Sequence, residues 1–291
     1  MKIVETVSDL EKQISLARSQ NRKIFFVPTM GALHEGHLSL VRIATEQDEA
    51  FVILSIFVNP TQFGKNEDFD RYPRTLDEDL AKLDELGKKP DLIFVPSVAE
   101  IYPDGLPVSL VSRAGAVGTV FEGAIRPGHF DGMLHVVNWF FRTVNPDVAI
   151  FGAKDAQQLY LIRRMVKREF DSSIRVIEGE TVREADGLAL SSRNRFLSSE
   201  ARQVAPRIFE TLQKVRSQIE SGEEIAKALE MGRLALTGLA LAKLDYLALV
   251  DKSSFQPISA GFTGIAQLLV AVNLDGVRLI DNISFTIQEP A

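Results

Sequence analysis

The chain has 291 residues, enough for one large domain or two ordinary ones with a sizeable core. Its composition, 45% hydrophobic and 25% charged, is that of a soluble globular protein, and a net charge of −6 argues against a general nucleic-acid or anionic-membrane surface while leaving room for a local basic pocket. With no Cys, disulfides, thiolate metal sites and Cys nucleophiles are excluded; with no charged-then-apolar leader and no apolar run near the roughly 18 residues of a membrane span, a cytoplasmic protein is expected.

Taken in chain order, KIFFVPT (Lys23–Thr29) is a nearly continuous apolar run and predicts a buried strand. Pro28 is expected to stop its ladder, having no N–H to donate. From about Gly36 the apolar spacing turns helical through Leu40, Val41 and Ala44. AFVILSIFVNP (Ala50–Pro60) predicts a second strand, and Leu76, Leu80, Leu83 and Leu86 predict a helix. The acidic run Asp77, Glu78, Asp79 falls in its first turn, where negative charge suits the helix dipole. DLIFVPS (Asp91–Ser97) and VAIFG (Val148–Gly152) predict further strands. Between them Met133, Val136, Val137, Phe140, Phe141 and Val144 form one wide helical stripe, ended by Asn145-Pro146; His135 lies off that stripe and is expected to be exposed. Leu159, Ile162, Met165 and Val166 form another stripe.

This alternation predicts a doubly wound, Rossmann-like α/β domain with a parallel sheet over residues 1–180. After roughly Glu180 the texture changes. A loop rich in Ser, Arg and Asn leads into two helical stretches, about Ser199–Glu220 and Glu223–Leu241, then strand-like runs at Asp245–Val250, Ile265–Asn273 and Val277–Ile280. A smaller α+β domain over residues 181–291 is expected.

The stretch PTMGALHEGH joins the first strand to its helix, so His34 and His37 flank a helix N-terminus. Free N–H groups and the positive dipole end meet there, which suits phosphate. Gly31 is expected to let main-chain N–H groups approach a ligand. Two imidazoles three residues apart can both donate hydrogen bonds to a triphosphate as its α-phosphorus is attacked. A zinc reading is weaker, because the zincin helix spaces its His by four residues and only His129 and His135 remain as further His. Asn59 and Gln62 emerge where the second strand ends, Lys154 where VAIFG ends, and Asp155 could cap the helix that follows.

PTMGALHEGH matches the HxGH element of the nucleotidyltransferase superfamily. With FVNPTQF (Phe57–Phe63), RYPRT (Arg71–Thr75), IYPDG (Ile101–Gly105), RPGHF (Arg126–Phe130), FGAKDAQQL (Phe151–Leu159) and DGLALSSRN (Asp186–Asn194), it resembles the pantoate–β-alanine ligase family in order and spacing across residues 28 to 194. The resemblance implies condensation of pantoate with β-alanine through a pantoyl adenylate, with release of AMP and pyrophosphate. Catalysis is then expected from His37 as proton donor, His34 and Lys154. ATP is expected at Met30, Gly31, Ala32, Leu33, His34, Glu35, Gly36 and His37; at Gly152, Ala153, Lys154 and Asp155; at Val182, whose backbone would touch adenine; and at Leu190, Ser191, Ser192 and Arg193, of which Ser191, Ser192 and Arg193 would close over the triphosphate. Pantoate is expected at Gln62 and Gln158, with Asn59, Arg126, His129, Met133, Val136 and Val137 nearby. Mg²⁺ is implied with ATP, held largely by phosphates and water, and the family is typically a homodimer. No nucleic-acid or membrane partner is expected. Two positions depart from the family's usual residue: Ala153 stands for Glu and Asp131 for Arg. Three other readings remain open: another HxGH nucleotidyltransferase, an ATP- and pantoate-binding relative without activity, and, weakest, a metal hydrolase.

Overall fold

The structure is a computed structural model and describes residues 1–64, 69–106 and 109–288. The chain divides into two compact units. The first holds Met1–Ala153 and Leu161–Glu180; the second holds Lys154–Tyr160 and Thr181–Ala291.

In the first unit the strands are β1 (Lys2–Val4), β2 (Lys23–Thr29), β3 (Ala50–Ile56), β4 (Leu92–Phe94), β5 (Val148–Gly152) and β6 (Arg175–Gly179). They form one parallel sheet in the order β1-β4-β3-β2-β5-β6. The helices are α1 (Val7–Ser19), α2 (Glu35–Thr45), α3 (Leu76–Asp84), the short α4 (Val98–Ile101) and α5 (Glu122–Ile125), α6 (His129–Val144) and α7 (Ala156–Glu169), of which α7 begins in the second unit. This is the Rossmann-like α/β sheet that the strand–helix alternation predicts, with its order reversing between β2 and β5.

Strand alternation sends Phe25 and Val27 to one face, where they pack with Leu38, Val41, Leu54 and Leu83. On the other face Phe140 of α6 meets Phe26, Phe57 and Phe94 at ring separations of 5.4, 6.3 and 6.2 Å. Every residue of the predicted stripe from Met133 to Val144 is buried.

Pro28 does not stop β2. Pairing with β3 runs on to Thr29↔Ile56. Lys23 N–H donates to Glu49 O and Phe57 N–H to Thr29 O, so odd residues of β2 face β3 and Pro28 faces β5. On that side the ladder ends at Phe26↔Ala149 although β5 runs on to Gly152, so the missing N–H stops the ladder to β5 as expected and leaves the ladder to β3 intact. The two strands at the reversal therefore part early, where ligands of open α/β sheets bind.

Two edge strands, β1 and β6, were not among the expected elements, and the expected strands Ala50–Pro60 and Asp91–Ser97 are shorter, at Ala50–Ile56 and Leu92–Phe94. In the second unit the expected helix over Ser199–Glu220 is two helices, α8 (Ser199–Val204) and α9 (Arg207–Glu220), parted at Ala205-Pro206 because a proline ring cannot continue the ladder of the preceding turn. α10 (Ile225–Thr237) follows, then an antiparallel meander of β7 (Ala242–Asp251), β8 (Gly264–Leu274) and β9 (Val277–Ile287). β9 is far longer than the expected Val277–Ile280, since polar residues interrupt its apolar run. Ala266, Leu268, Val270 and Val272 of β8 face Ile208, Leu212, Val215 and Leu236 of the helices in one core.

Candidate active site

The turn after β2 is built around a buried carboxylate. Gly31 (φ 77) and Ala32 (φ 50) are consecutive left-handed residues, which turns the N–H groups of Ala32 and Leu33 toward one point. Asp79 of α3 fills that point: its Oδ2 accepts from Ala32 N–H at 2.8 Å and its Oδ1 from Leu33 N–H at 2.7 Å. It has no exposed surface. Lys82, one turn on, donates to Leu33 O at 2.7 Å. Burial pushes the Asp79 carboxyl above its ordinary range, against the pull of the two N–H donors. Asp77, Glu78 and Asp79 all lie in the first turn of α3 as expected, but Asp79 is buried and has the further role of holding the turn after β2. The expectation for Gly31 needs correction. Its own N–H goes to Thr29 Oγ1 at 3.2 Å, and the next two are spent on Asp79, so these three N–H groups are engaged inside the protein.

His34 is the N-cap of α2, and the two histidines cap it reciprocally. Gly36 N–H donates to His34 Nδ1 at 3.2 Å, and His34 N–H donates to His37 Nδ1 at 3.3 Å. A backbone N–H can only donate, so both Nδ1 atoms are acceptors and each neutral ring carries its proton on Nε2. The ring centroids lie 4.1 Å apart. A side chain at position 36 would start 2.9 Å from His34 Cε1, which explains the glycine. The turn thus holds two imidazole N–H donors at a helix N-terminus.

The FVNPTQF turn follows β3. Asn59 and Gln62 are both buried. Asn59 Oδ1 accepts from Tyr102 Oη–H at 2.7 Å and from the Thr61 hydroxyl at 2.9 Å. Its Nδ2 donates to Gln62 Oε1 at 3.1 Å and to Gly132 O at 3.2 Å. Asn59 is thereby engaged within the protein and orients Gln62, whose Nε2 lies 3.0 Å from Met30 Sδ. That contact brings the FVNPTQF turn against the histidine turn. α6 closes in from the other side: a Cβ on Gly132 would lie 2.1 Å from Thr61 O.

His129, also buried, holds the backbone of the same turn. Its Nδ1 lies 2.9 Å from Gln62 O and its Nε2 3.1 Å from Arg126 Nη1. A carbonyl only accepts and a guanidinium only donates, so Nδ1 carries the proton, the opposite tautomer to His34 and His37. Glu122 lies 3.8 Å from Arg126. Asp131, the departure from the family pattern, has local partners: Arg113 at 2.9 Å and Ala114 N–H at 2.8 Å. His135 is not exposed as expected. It is half-buried, stacked on Tyr102 at 5.8 Å, and accepts from Val111 N–H at 3.3 Å. Burial holds its pKa below the ordinary range.

Of the remaining sequence-predicted residues, Gly152 and Ala153 end the first unit's share of the VAIFG strand and turn. Lys154, Asp155 and Gln158 belong to the second unit, with Val182, Leu190, Ser191, Ser192 and Arg193. Gln157 is buried and Gln158 only partly, as expected of neighbours on different sides of a helix. Leu190 N–H donates to Val182 O, and Arg183 bridges Ala189, making a small hairpin. Arg183 fixes it: Nη1 and Nη2 lie 2.6 and 2.9 Å from the two Asp281 oxygens, and the guanidinium sits 3.6 Å over the Phe209 ring. Ser191 Oγ then accepts from Arg193 N–H at 3.3 Å, and Asn194 Nδ2 donates to Glu184 and Ala189 O, each at 3.1 Å. The contacts by which Asp79, Tyr102, Arg183 and Asp281 hold these turns were not expected from the sequence. Tyr102 gave a signal only as part of IYPDG, and Asp79 only as an acidic residue at an apolar-flanked helix position.

A parallel sheet with its polar turns gathered beyond the carboxyl ends of β2 and β3 is the frame of a Rossmann-like α/β enzyme. The family model for pantoate-beta-alanine ligase matches residues 2–284. Among relatives, the pantothenate synthetase of Pseudomonas fluorescens (strain Pf0-1) is 44% identical over 291 residues, covering 100% of both chains. That of Leifsonia xyli subsp. xyli (strain CTCB07) is 47% identical over 265 residues, 91% of this chain and 90% of its own. The crystal structure of pantothenate synthetase from Thermus thermophilus superposes with a TM-score of 0.86 at 43% identity, over 97% of this chain and 99% of that one. A Francisella tularensis pantoate-beta-alanine ligase, crystallised with beta-gamma ATP and beta-alanine, gives a TM-score of 0.76 at 34% identity, over 97% of each chain. The chain belongs to the pantoate–β-alanine ligase family and is a ligase of pantothenate biosynthesis.

Proposed function

We propose that the chain joins pantoate to β-alanine in two steps at the expense of ATP. A pantoate carboxylate oxygen attacks the α-phosphorus, forming the acyl–phosphate bond as the bond to the β-phosphate breaks, and pyrophosphate leaves with the electron pair. The neutral amine of β-alanine then attacks the acyl carbon, AMP leaves, and the new nitrogen gives up a proton. The carrying observation is the reciprocal cap of α2, which fixes His34 and His37 as Nε2–H donors at a helix N-terminus. Donors held this way need no reorganisation as charge grows on a triphosphate. The Francisella relative's complex with beta-gamma ATP and beta-alanine supports ATP and β-alanine as substrates.

In this reading Met30–His37, Gly152–Asp155, Val182, Leu190, Ser191, Ser192 and Arg193 serve ATP. Lys154 supports the leaving pyrophosphate electrostatically, and His37 donates a proton there. Gln62 and Gln158 hold the polar groups of pantoate. Met133, Val136 and Val137 wall its methyl groups, and Asn59 and His129 act through Gln62. Residues 1–180 carry most of the substrate contacts and residues 181–291 bring the Ser191–Arg193 loop to the nucleotide. Among the described residues no group of three or more His, Asp or Glu is placed to hold a metal ion. Both Asp79 oxygens are engaged by N–H groups, so Mg²⁺ would enter with ATP and take its ligands from phosphate oxygens and water. A cytoplasmic homodimer completes the reading; no described helix is long and apolar enough to cross a membrane.

The test is pantoate-dependent ATP–pyrophosphate exchange with Mg²⁺. Exchange that needs pantoate but not β-alanine, and falls at least about a hundredfold in His37→Ala, is expected. A folded protein that binds ATP yet shows no exchange would overturn the adenylate route.

A further inference from the structure

The segment that carries Lys154 is held by the second unit's sheet. Tyr160 Oη–H donates to Ser254 O at 2.8 Å and its ring lies 5.0 Å from that of Phe255, in the connection between β7 and β8. At the other end Asn282 of β9 donates from Nδ2 to Lys154 O at 2.7 Å.

Asn282 does not act alone. Along β8 and β9 one face packs on the helices and the other carries Gln267, Asn282 and Ser284. Ser284 Oγ donates to Gln267 Oε1 at 2.7 Å, and Gln267 Nε2 donates to Asn282 Oδ1 at 2.6 Å. The ladder ends on a carbonyl, which can only accept, so the direction of both amides is fixed from that end. Gln267 is 4% exposed and Asn282 6%, so both amides are desolvated, and each link strengthens the next. A buried amide ladder is a costly way to fill space that apolar side chains would fill. It gains a defined position for one carbonyl. That carbonyl belongs to the residue whose side chain is assigned to pyrophosphate.

We propose that Asn282 is a positioning residue for Lys154: the β8–β9 amide ladder sets the backbone of Lys154 and thereby the direction of its ammonium group. The proposal rests on the reading of Lys154 given under Proposed function. Asn282 touches no substrate; it acts through the lysine. The residue before it, Asp281, points to the opposite face and holds Arg183. Two consecutive residues of β9 thus anchor two separate loops of the second unit, and Asn282 anchors the one bearing the lysine.

The experiment compares N282D, K154A and the double variant in pantoate-dependent ATP–pyrophosphate exchange, with thermal unfolding as the control for folding. N282D keeps the oxygen that Gln267 donates to and replaces the donor to Lys154 O. A misplacement on the order of an ångström in a reacting group costs up to about a hundredfold. N282D is expected to lower kcat about ten- to a hundredfold with little change in KM for pantoate. In the K154A background it should change exchange by less than about twofold, because the group it positions is gone. As pH falls, the carboxyl introduced by N282D takes up a proton and can again donate to Lys154 O, so the ratio of variant to wild-type kcat should rise. A purely structural lesion has no reason to recover in acid. N282A, which introduces no charge, should show the same kcat loss and the same masking by K154A without that recovery.

Impaired K154A with N282D and N282A at the wild-type kcat would overturn the proposal alone. So would losses that multiply in the double variant. If K154A itself exchanges at the wild-type rate, the role of Lys154 fails and this proposal fails with it. If N282D does not fold, N282A in the two backgrounds decides between the same outcomes.

Discussion

The histidine turn of the first unit and the loops of the second are fixed by different physics. The turn is pinned by one buried carboxylate on two backbone N–H groups, with Asp79 forty-seven residues from Ala32 in sequence. The Ser191–Asn194 loop is pinned by a guanidinium–carboxylate pair, and the Lys154 segment by neutral amides. A charge on backbone donors fixes both position and direction, so the N–H groups it uses are withdrawn from any ligand. Side-chain pairs leave the loop's own backbone groups to their local hairpin. The first arrangement presents side-chain donors from a rigid turn; the second holds the base of a loop and leaves its tip to local caps.

If that contrast is correct, substitutions should rank by how much backbone they orphan. Asp79→Ala leaves two buried N–H groups without an acceptor and should cost about 4 kcal/mol, read from chemical denaturation. Exchange should fall with it, and Asp79→Asn, which keeps one acceptor, should lose less. A cost near zero would mean that something other than Asp79 holds the turn. Gly132→Ala comes next. Its Cβ would lie 2.1 Å from Thr61 O, so α6 must move off the FVNPTQF turn. A loss of about 3 kcal/mol is expected, together with a raised KM for pantoate. Retention of wild-type KM would remove Gln62 from the pantoate contacts. Asp281→Asn, breaking a bidentate pair, should cost about 2 kcal/mol and raise KM for ATP more than it lowers kcat. The opposite split would contradict a role through the Ser191–Asn194 loop.

The smallest effect is that of His135. Burial depresses its pKa in the folded protein, so the unfolded chain takes up the proton first as pH falls. Its contribution to stability is complete above the ordinary histidine range and is lost as pH drops through and below it. Comparing denaturation midpoints at about pH 8 and pH 5, His135→Phe should flatten that part of the profile relative to wild type. An unchanged slope would place the pH dependence elsewhere.

How much of this was legible depends on the range of the interaction. The stripe from Met133 to Val144 is a helical period and proved to be a buried face. The break at Pro206 was equally local and was there to be read, but the apolar spacing on both sides of it suggested one helix. β1 and β6 are edge strands, one of three residues and one largely half-exposed, and neither shows the apolar run of a central strand. The length of β9 was hidden because Asp281, Asn282 and Ser284 have polar partners on both faces.

By itself, then, the sequence determined the alternating α/β frame, the two-histidine turn at the start of α2, and the family, because strand and helix periods, Gly and Pro positions and short motifs are properties of neighbouring residues. Tertiary structure alone decided which groups hold those motifs in place. Asp79 on the N–H groups of Ala32 and Leu33, Tyr102 on Asn59, His129 on the carbonyl of Gln62 and Asn282 on that of Lys154 all join backbone or amide groups far apart in the chain. Every non-proline residue carries the same backbone donor and acceptor, so a sequence does not say which of them a distant side chain will satisfy.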